Sequence, residues 1–147
     1  MKFTLIVLQA LLAIGALYGG GAMIISPAGE LLGLPLSMLE SSPFNDFLIP
    51  GIILFVVLGI VPCLTVYGLL SKQNMKYAEM INLFSDMHWA WSFSIYVSIA
   101  LIIWIQIQIL FVDGVHWAHT LYIFWGILMI VIALLPGIRS QYNLKSI

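Results

Sequence analysis

Four long apolar runs without a charged side chain divide this sequence: Leu5–Ile25, Phe47–Leu70, Trp89–Val112 and Trp117–Leu135. A helix rises about 1.5 Å per residue, so roughly 20 residues cross the ~30 Å hydrocarbon core of a bilayer. Each run meets that length. Inside hydrocarbon the backbone must satisfy its own hydrogen bonds, and a helix does so within one segment. The pattern predicts an all-α fold, a four-helix transmembrane bundle filling residues 1–147 as one integral membrane domain.

The polar gaps differ in charge. The five cations, Lys2, Lys72, Lys76, Arg139 and Lys145, lie before the first run, between the second and third, or after the fourth. The first and third gaps hold none. Cationic segments stay on the cytoplasmic side during insertion, and acids count little. The expected topology is therefore up-down-up-down with both termini cytoplasmic, N-in/C-in. The first run continues through Met23-Ile24-Ile25, longer than the ~7–15 residues of a signal-peptide core, and reads as a span.

Details inside the pattern refine these elements. The first gap, Ser26–Asp46, carries Leu31, Leu32, Leu34, Leu36, Met38 and Leu39. Such residues suit a segment lying at the outer interface or folded over the bundle mouth. Pro35 predicts two short turns there, and Ser42-Pro43 reads as the start of the second helix. Pro50-Gly51 and Pro62 predict bends within that helix. The third gap, around Asp113-Gly114, is so short that the third and fourth spans must be antiparallel neighbours. In the first span, Gly15, Gly19 and Ala22 form one stripe of small residues; Ala13, Ala16 and Gly20 form another. Gly15-x-x-x-Gly19 fits the pattern that lets two helices approach closely, chiefly within the same chain, with a homodimer seam as the alternative. Gln9 extends the second stripe and should hydrogen-bond a neighbouring helix.

Composition narrows the function. The chain is 63% apolar and 7% charged with net charge −1, so it lacks the basic surface that nucleic acid demands. No Lys/Arg cluster marks a polybasic lipid-binding tail. Cys63 is the single cysteine, which excludes an internal disulfide and a CxxC redox pair. No Asp, Glu, Lys or Arg falls inside a span, which disfavours a pump, an ion-coupled carrier or intramembrane acid–base catalysis.

The candidate chemistry gathers at the outer mouth. Asp113, His116 and His119 follow a D-x-x-H-x-x-H spacing, with successive members about one helical turn apart. Gln106 and Gln108 end the adjacent span at similar depth, and Glu30, Glu40 and Asp46 lie on the same side. Two imidazoles and a carboxylate suit a divalent metal, and neutral imidazoles and amides suit a quinone carbonyl or a lipid head group. The same residues also make an ordinary interfacial anchor for a helix end, with Asp113 as its cap. No catalytic residue, metal ligand or resident cofactor is assigned. His88 sits a whole span away, at the opposite surface, and opens the third span with the interfacial aromatics Trp89 and Trp91.

The stretch Gly19–Ile60, GGGAMIISPAGELLGLPLSMLESSPFNDFLIPGIILFVVLGI, resembles a family of small bacterial four-span membrane proteins. WIQIQ at Trp104–Gln108 and HTLY at His119–Tyr122 extend that resemblance over most of the chain. The Gly-rich end of the first span and LGLP at Leu32–Pro35 are also similar to DoxX-like proteins. That likeness implies a four-span architecture and a bacterial plasma membrane; some DoxX-like proteins are membrane subunits of quinone-linked oxidoreductases. Three readings result. The leading one is a non-enzymatic accessory subunit or lipid-binding module, partnered by the lipid bilayer, by a membrane protein or by further copies of itself. The second is a quinone-linked oxidoreductase subunit, and the third an oligomeric channel or carrier.

Overall fold

The structure, a computed structural model, describes residues 1–112 and 115–146. Among these, four helices are long and apolar enough to cross a membrane: Lys2–Ile25, Leu48–Ser71, Trp89–Phe111 and Trp117–Leu134. They are called helix one to helix four below, and their ends fall close to those of the apolar runs. Helix one packs along helix two, two on three, and three on four; helix one also touches helix four. Two polar side chains tie the bundle across its middle. Gln9 Nε2 in helix one donates to the Ser94 carbonyl of helix three at 3.2 Å. Trp125 Nε1 in helix four donates to the Leu8 carbonyl at 3.3 Å. An amide or indole N–H left unpaired in hydrocarbon would cost kilocalories, so these contacts fix helix rotation as well as separation.

Of the two small-residue stripes, Ala13, Ala16 and Gly20 are buried, whereas Gly15 is exposed. A Cβ on Gly20 would lie 2.7 Å from the Phe55 nitrogen and 2.8 Å from the Gly51 oxygen. Backbone meets backbone there. At Gly15 no atom lies within 4 Å of the corresponding position, and at Gly19 the nearest is a Leu54 methyl at 3.6 Å. The close approach of helices one and two thus runs through the second stripe and not through Gly15-x-x-x-Gly19. Gln9 decides between them: its buried amide must face helix three, which turns Ala13, Ala16 and Gly20 inward with it.

Helix two is α-helical over Leu48–Phe55, widens to a π-type turn over Val56–Ile60, and resumes as α-helix over Val61–Ser71. Pro62 accounts for the change. Its ring crowds the preceding turn and it has no N–H to give, and a π-type turn supplies the slack. The Thr65 hydroxyl bonds the Val61 carbonyl at 2.9 Å. The helix starts at Leu48, later than Ser42-Pro43 suggested. The Phe47 N–H donates to the Pro27 carbonyl at 2.9 Å, which tethers this stretch to the first gap and delays the helix. Asp46 Oδ1 then accepts the Leu48 N–H at 2.9 Å, while the Ser42 hydroxyl donates to the Leu39 carbonyl at 2.8 Å and closes a local turn. The first gap holds two short 3-10 turns, Glu30–Leu32 and Leu36–Leu39, separated around Pro35. Gly29 and Gly33 flank the first of them with φ of 82° and 64°, a left-handed backbone that favours glycine.

The opposite end of the bundle is closed by the carboxyl-terminal segment. After helix four a short helix, Pro136–Gln141, leads to Tyr142, which is fully buried. Its hydroxyl donates to the Leu69 carbonyl at 2.8 Å, satisfying one of the orphan carbonyls that end helix two. The Tyr142 carbonyl accepts the His88 N–H at 2.8 Å, and Leu144 N–H reaches the Asp86 carbonyl at 2.9 Å. His88, Trp89 and Trp91 are buried beneath this strap instead of lining an open interface, because the chain returns over them. Trp89 Nε1 donates to the Gln73 carbonyl at 2.9 Å and Trp91 Nε1 to the Ala133 carbonyl at 2.8 Å. His88 caps helix three, its Nδ1 accepting the Ala90 N–H at 3.3 Å. Burial pushes the imidazole below its ordinary pKa, against the opposing pull of the Glu79 carboxylate.

Candidate functional site

Between the four helices lies a cavity of about 280 Å³. Its apolar wall comes from Leu11, Leu12 and Ala16 of helix one, Leu54 and Leu58 of helix two, and Leu101 and Ile105 of helix three. The polar and aromatic part of its lining is Trp104 and Gln108 of helix three with His119, Tyr122 and Trp125 of helix four. The spacing explains the convergence. His119, Tyr122 and Trp125 recur every three residues along helix four, and Trp104 and Gln108 are one turn apart on helix three, so each set shares a face. Those faces meet where helices three and four pack together.

Helix one leaves the space open. Gly15 lines the cavity and presents no side chain to it, and no atom lies within 4 Å of where its Cβ would stand. The Trp125 indole N–H is already committed to the Leu8 carbonyl, so Trp125 contributes a ring wall and no free donor. His119 Nδ1 accepts the His116 backbone N–H at 3.2 Å. That bond assigns the proton of a neutral imidazole to Nε2, which makes the other nitrogen a donor. Gln108 adds an amide with both donor and acceptor, and Tyr122 a hydroxyl. The site can therefore receive a carbonyl or ether oxygen against an apolar, aromatic wall.

Of the residues singled out from the sequence, Gln108 and His119 are brought together at this cavity. His116 is exposed and serves through its backbone, its ring centroid 5.9 Å from that of His119. Gln106 is exposed and is not part of the lining. Asp113 lies outside the described residues. Among the described residues no group of three His, Cys, Asp or Glu side chains could hold a metal ion. The sequence reading missed Trp104, Tyr122 and Trp125, although the three-residue stripe from His119 was there to be followed. It also missed the open volume beside Gly15, because a missing side chain gives no signal until its neighbours are placed. The serines of helix three play no part in the site: Ser94 and Ser98 donate to carbonyls of their own helix, Trp91 at 2.6 Å and Ser94 at 2.7 Å.

Comparison with family models, with curated proteins and with solved structures found no match to this chain.

Proposed function

We propose that this chain is a non-enzymatic ligand-binding protein of a bacterial plasma membrane, an accessory subunit or lipid-binding module. Its ligand is an amphipathic molecule whose carbonyl-bearing head enters the cavity between the helices. One observation carries the reading: Gln108, His119 and Tyr122 converge on a single apolar cavity with an aromatic wall. Ligand sites are mostly apolar concavities with a few placed polar groups, typically of ~300–1,000 Å³. At about 280 Å³ the cavity suits one ring or head group, with the apolar tail left in the bilayer. A quinone ring and a lipid ester both present such an oxygen. A quinone there would favour the DoxX-like reading of a subunit serving a quinone-linked oxidoreductase.

Filling the cavity tests this. Gly15→Leu starts its side chain in open space, with no atom within 4 Å of the added Cβ, beside the cavity that Gly15 lines. Protein purified in mild detergent should carry a stoichiometric quinone or lipid by mass spectrometry. Gly15→Leu should lose it about ten-fold or more while still unfolding cooperatively, a tenfold loss corresponding to about 1.4 kcal/mol. Undiminished ligand in Gly15→Leu would sink the cavity reading.

The same proposal places both termini in the cytoplasm with up-down-up-down spans. The cation distribution supports it, and so does the meeting of Lys2, Lys72 and Tyr142 at one end of the bundle. In a Cys63→Ala background, Glu40→Cys should react with an impermeant maleimide added to intact cells, and Lys76→Cys should react only after lysis. The reverse pattern would invert the orientation.

A further inference from the structure

Lys2, Lys72 and Arg139 are far apart in sequence, and the fold gathers them around the carboxyl-terminal strap. The Lys2 and Lys72 ammonium groups lie 5.8 and 5.3 Å from the centroid of the same Tyr142 ring. The Arg139 guanidinium stands 6.0 Å from the Trp91 ring. Lys72 Nζ also donates to the Gln141 carbonyl at 2.8 Å. Positive charge at one end of the bundle favours an anionic partner there, and the Glu79 carboxylate is engaged by other donors. The Glu79 carboxylate accepts from Asn82 Nδ2 at 3.0 Å and from the Trp89 N–H at 3.3 Å.

A second cleft, of about 450 Å³, lies between the two ends of the chain, and of these cations Lys2 lines it. Lys2 and Gln141 supply its polar lining. Phe3, Leu135, Pro136 and Ile138 supply the apolar part, and Gly137 leaves its own position open, with no atom within 4 Å of a would-be Cβ. The cleft lies at the end of helices one and four, where a bilayer gives way to its head groups. A ligand that fits must be anionic at one end and apolar at the other.

We propose that this cleft binds the phosphate of an anionic phospholipid, with Lys2 as the direct charge partner, Lys72 and Arg139 supplying the surrounding positive field, and the upper acyl chain lying on Phe3, Leu135 and Ile138. The absence of a Lys/Arg cluster in the sequence hides this site, because its charges come from three separate segments. An interfacial Lys or Arg strengthens attraction to an anionic membrane by roughly five-fold each. The site is independent of the Gln108–His119 cavity, which draws on other residues of the bundle.

The test uses the full chain in a neutral maltoside detergent, with thermal melting followed as short-chain lipid is added. Dioctanoyl phosphatidylglycerol should raise the melting temperature saturably, and dioctanoyl phosphatidylcholine and inorganic phosphate should not. Lys2→Gln should weaken apparent phosphatidylglycerol affinity about five-fold, Lys2→Arg should restore it, and Gly137→Leu should abolish the response by filling the cleft. Gly15→Leu should leave it intact, which separates this site from the cavity in the bundle. Equal stabilisation by phosphatidylcholine or by inorganic phosphate would overturn the proposal. So would unchanged affinity in both Lys2→Gln and Gly137→Leu. Binding constants are compared only among variants whose lipid-free melting is cooperative, and Lys72→Gln gives a second charge deletion should Lys2→Gln fail to fold.

Discussion

Gly20→Leu should be among the most damaging single substitutions in the apolar spans, leaving little cooperatively folded protein in mild detergent. Its Cβ alone would sit 2.7 Å from the Phe55 nitrogen, 2.8 Å from the Gly51 oxygen and 2.9 Å from the Phe55 Cα. These are backbone atoms, so no rotamer change can relieve the overlap, and helices one and two must separate. Overpacking of a close-packed site costs about 1–3 kcal/mol, and more where backbone must move. Gly20→Ala should therefore cost roughly 1–3 kcal/mol and Gly20→Leu clearly more. Loss would spread because Gln9 and Leu8 of the same helix hold helices three and four. Gly15→Ala is the contrasting variant: its Cβ meets open space, and alanine is better than glycine in a helix interior by up to about 1 kcal/mol. Thermal and denaturant unfolding of the three variants should rank Gly15→Ala at or above wild type, then Gly20→Ala, then Gly20→Leu. A Gly20→Leu protein melting like wild type would place helix one elsewhere.

Much of this architecture is legible in the sequence because one physical demand dominates it. Hydrocarbon forces the backbone into helices of about 20 residues, so four uncharged runs mark four long helices with little ambiguity. Pro35 likewise marks the break between two turns, since it cannot continue a helix from Glu30–Leu32. What periodicity leaves open is rotation about each helix axis. These helices are apolar all round, so no polar face shows which side looks inward; a membrane helix lacks the amphipathic signal of a surface helix in water. The Gly15-x-x-x-Gly19 spacing therefore points to the first small-residue stripe, whereas the buried amide of Gln9 turns the second one inward. The candidate site divides along the same line. His119 and Gln108 stand out because polar side chains in apolar runs are conspicuous. Trp104, Tyr122 and Trp125 do not, since aromatic residues in a membrane helix have many ordinary places to be. Ser42-Pro43 misled for another reason: its start signal is sound locally, but a distant bond from Phe47 to Pro27 overrides it. The meeting of Lys2 and Lys72 on the Tyr142 ring is the extreme case, since packing alone brings together residues so far apart in sequence.

Tyr142→Ala should cost about 3–5 kcal/mol, the range for deleting a large buried aromatic side chain, while Tyr142→Phe should cost roughly 1–3 kcal/mol. The difference separates two roles of one residue. The ring fills space beside His88, with centroids 6.5 Å apart, and carries the Lys2 and Lys72 ammonium groups on its faces. The hydroxyl alone satisfies the Leu69 carbonyl, which phenylalanine would leave buried without that donor. Burial also pushes the phenol up to about 12, so it stays a neutral donor across the physiological range. The pH dependence should change along with the stability. With the His88 pKa lowered in the folded protein, the unfolded chain takes up the proton first. The stability linked to His88 is then complete above its ordinary value of 6.5 and falls away as pH drops below it toward the folded pKa. Removing the Tyr142 ring lets water reach the imidazole, which returns the folded pKa toward 6.5 and flattens that acid limb. Unfolding free energies measured between pH 5 and pH 8 on wild type, Tyr142→Phe and Tyr142→Ala should show the acid-side slope in the first two and a shallower one in the third (the range spans the ordinary His pKa of ~6.5). An acid-side slope as steep in Tyr142→Ala as in wild type would mean that the strap does not shield His88, and that its burial comes from helices two and three alone.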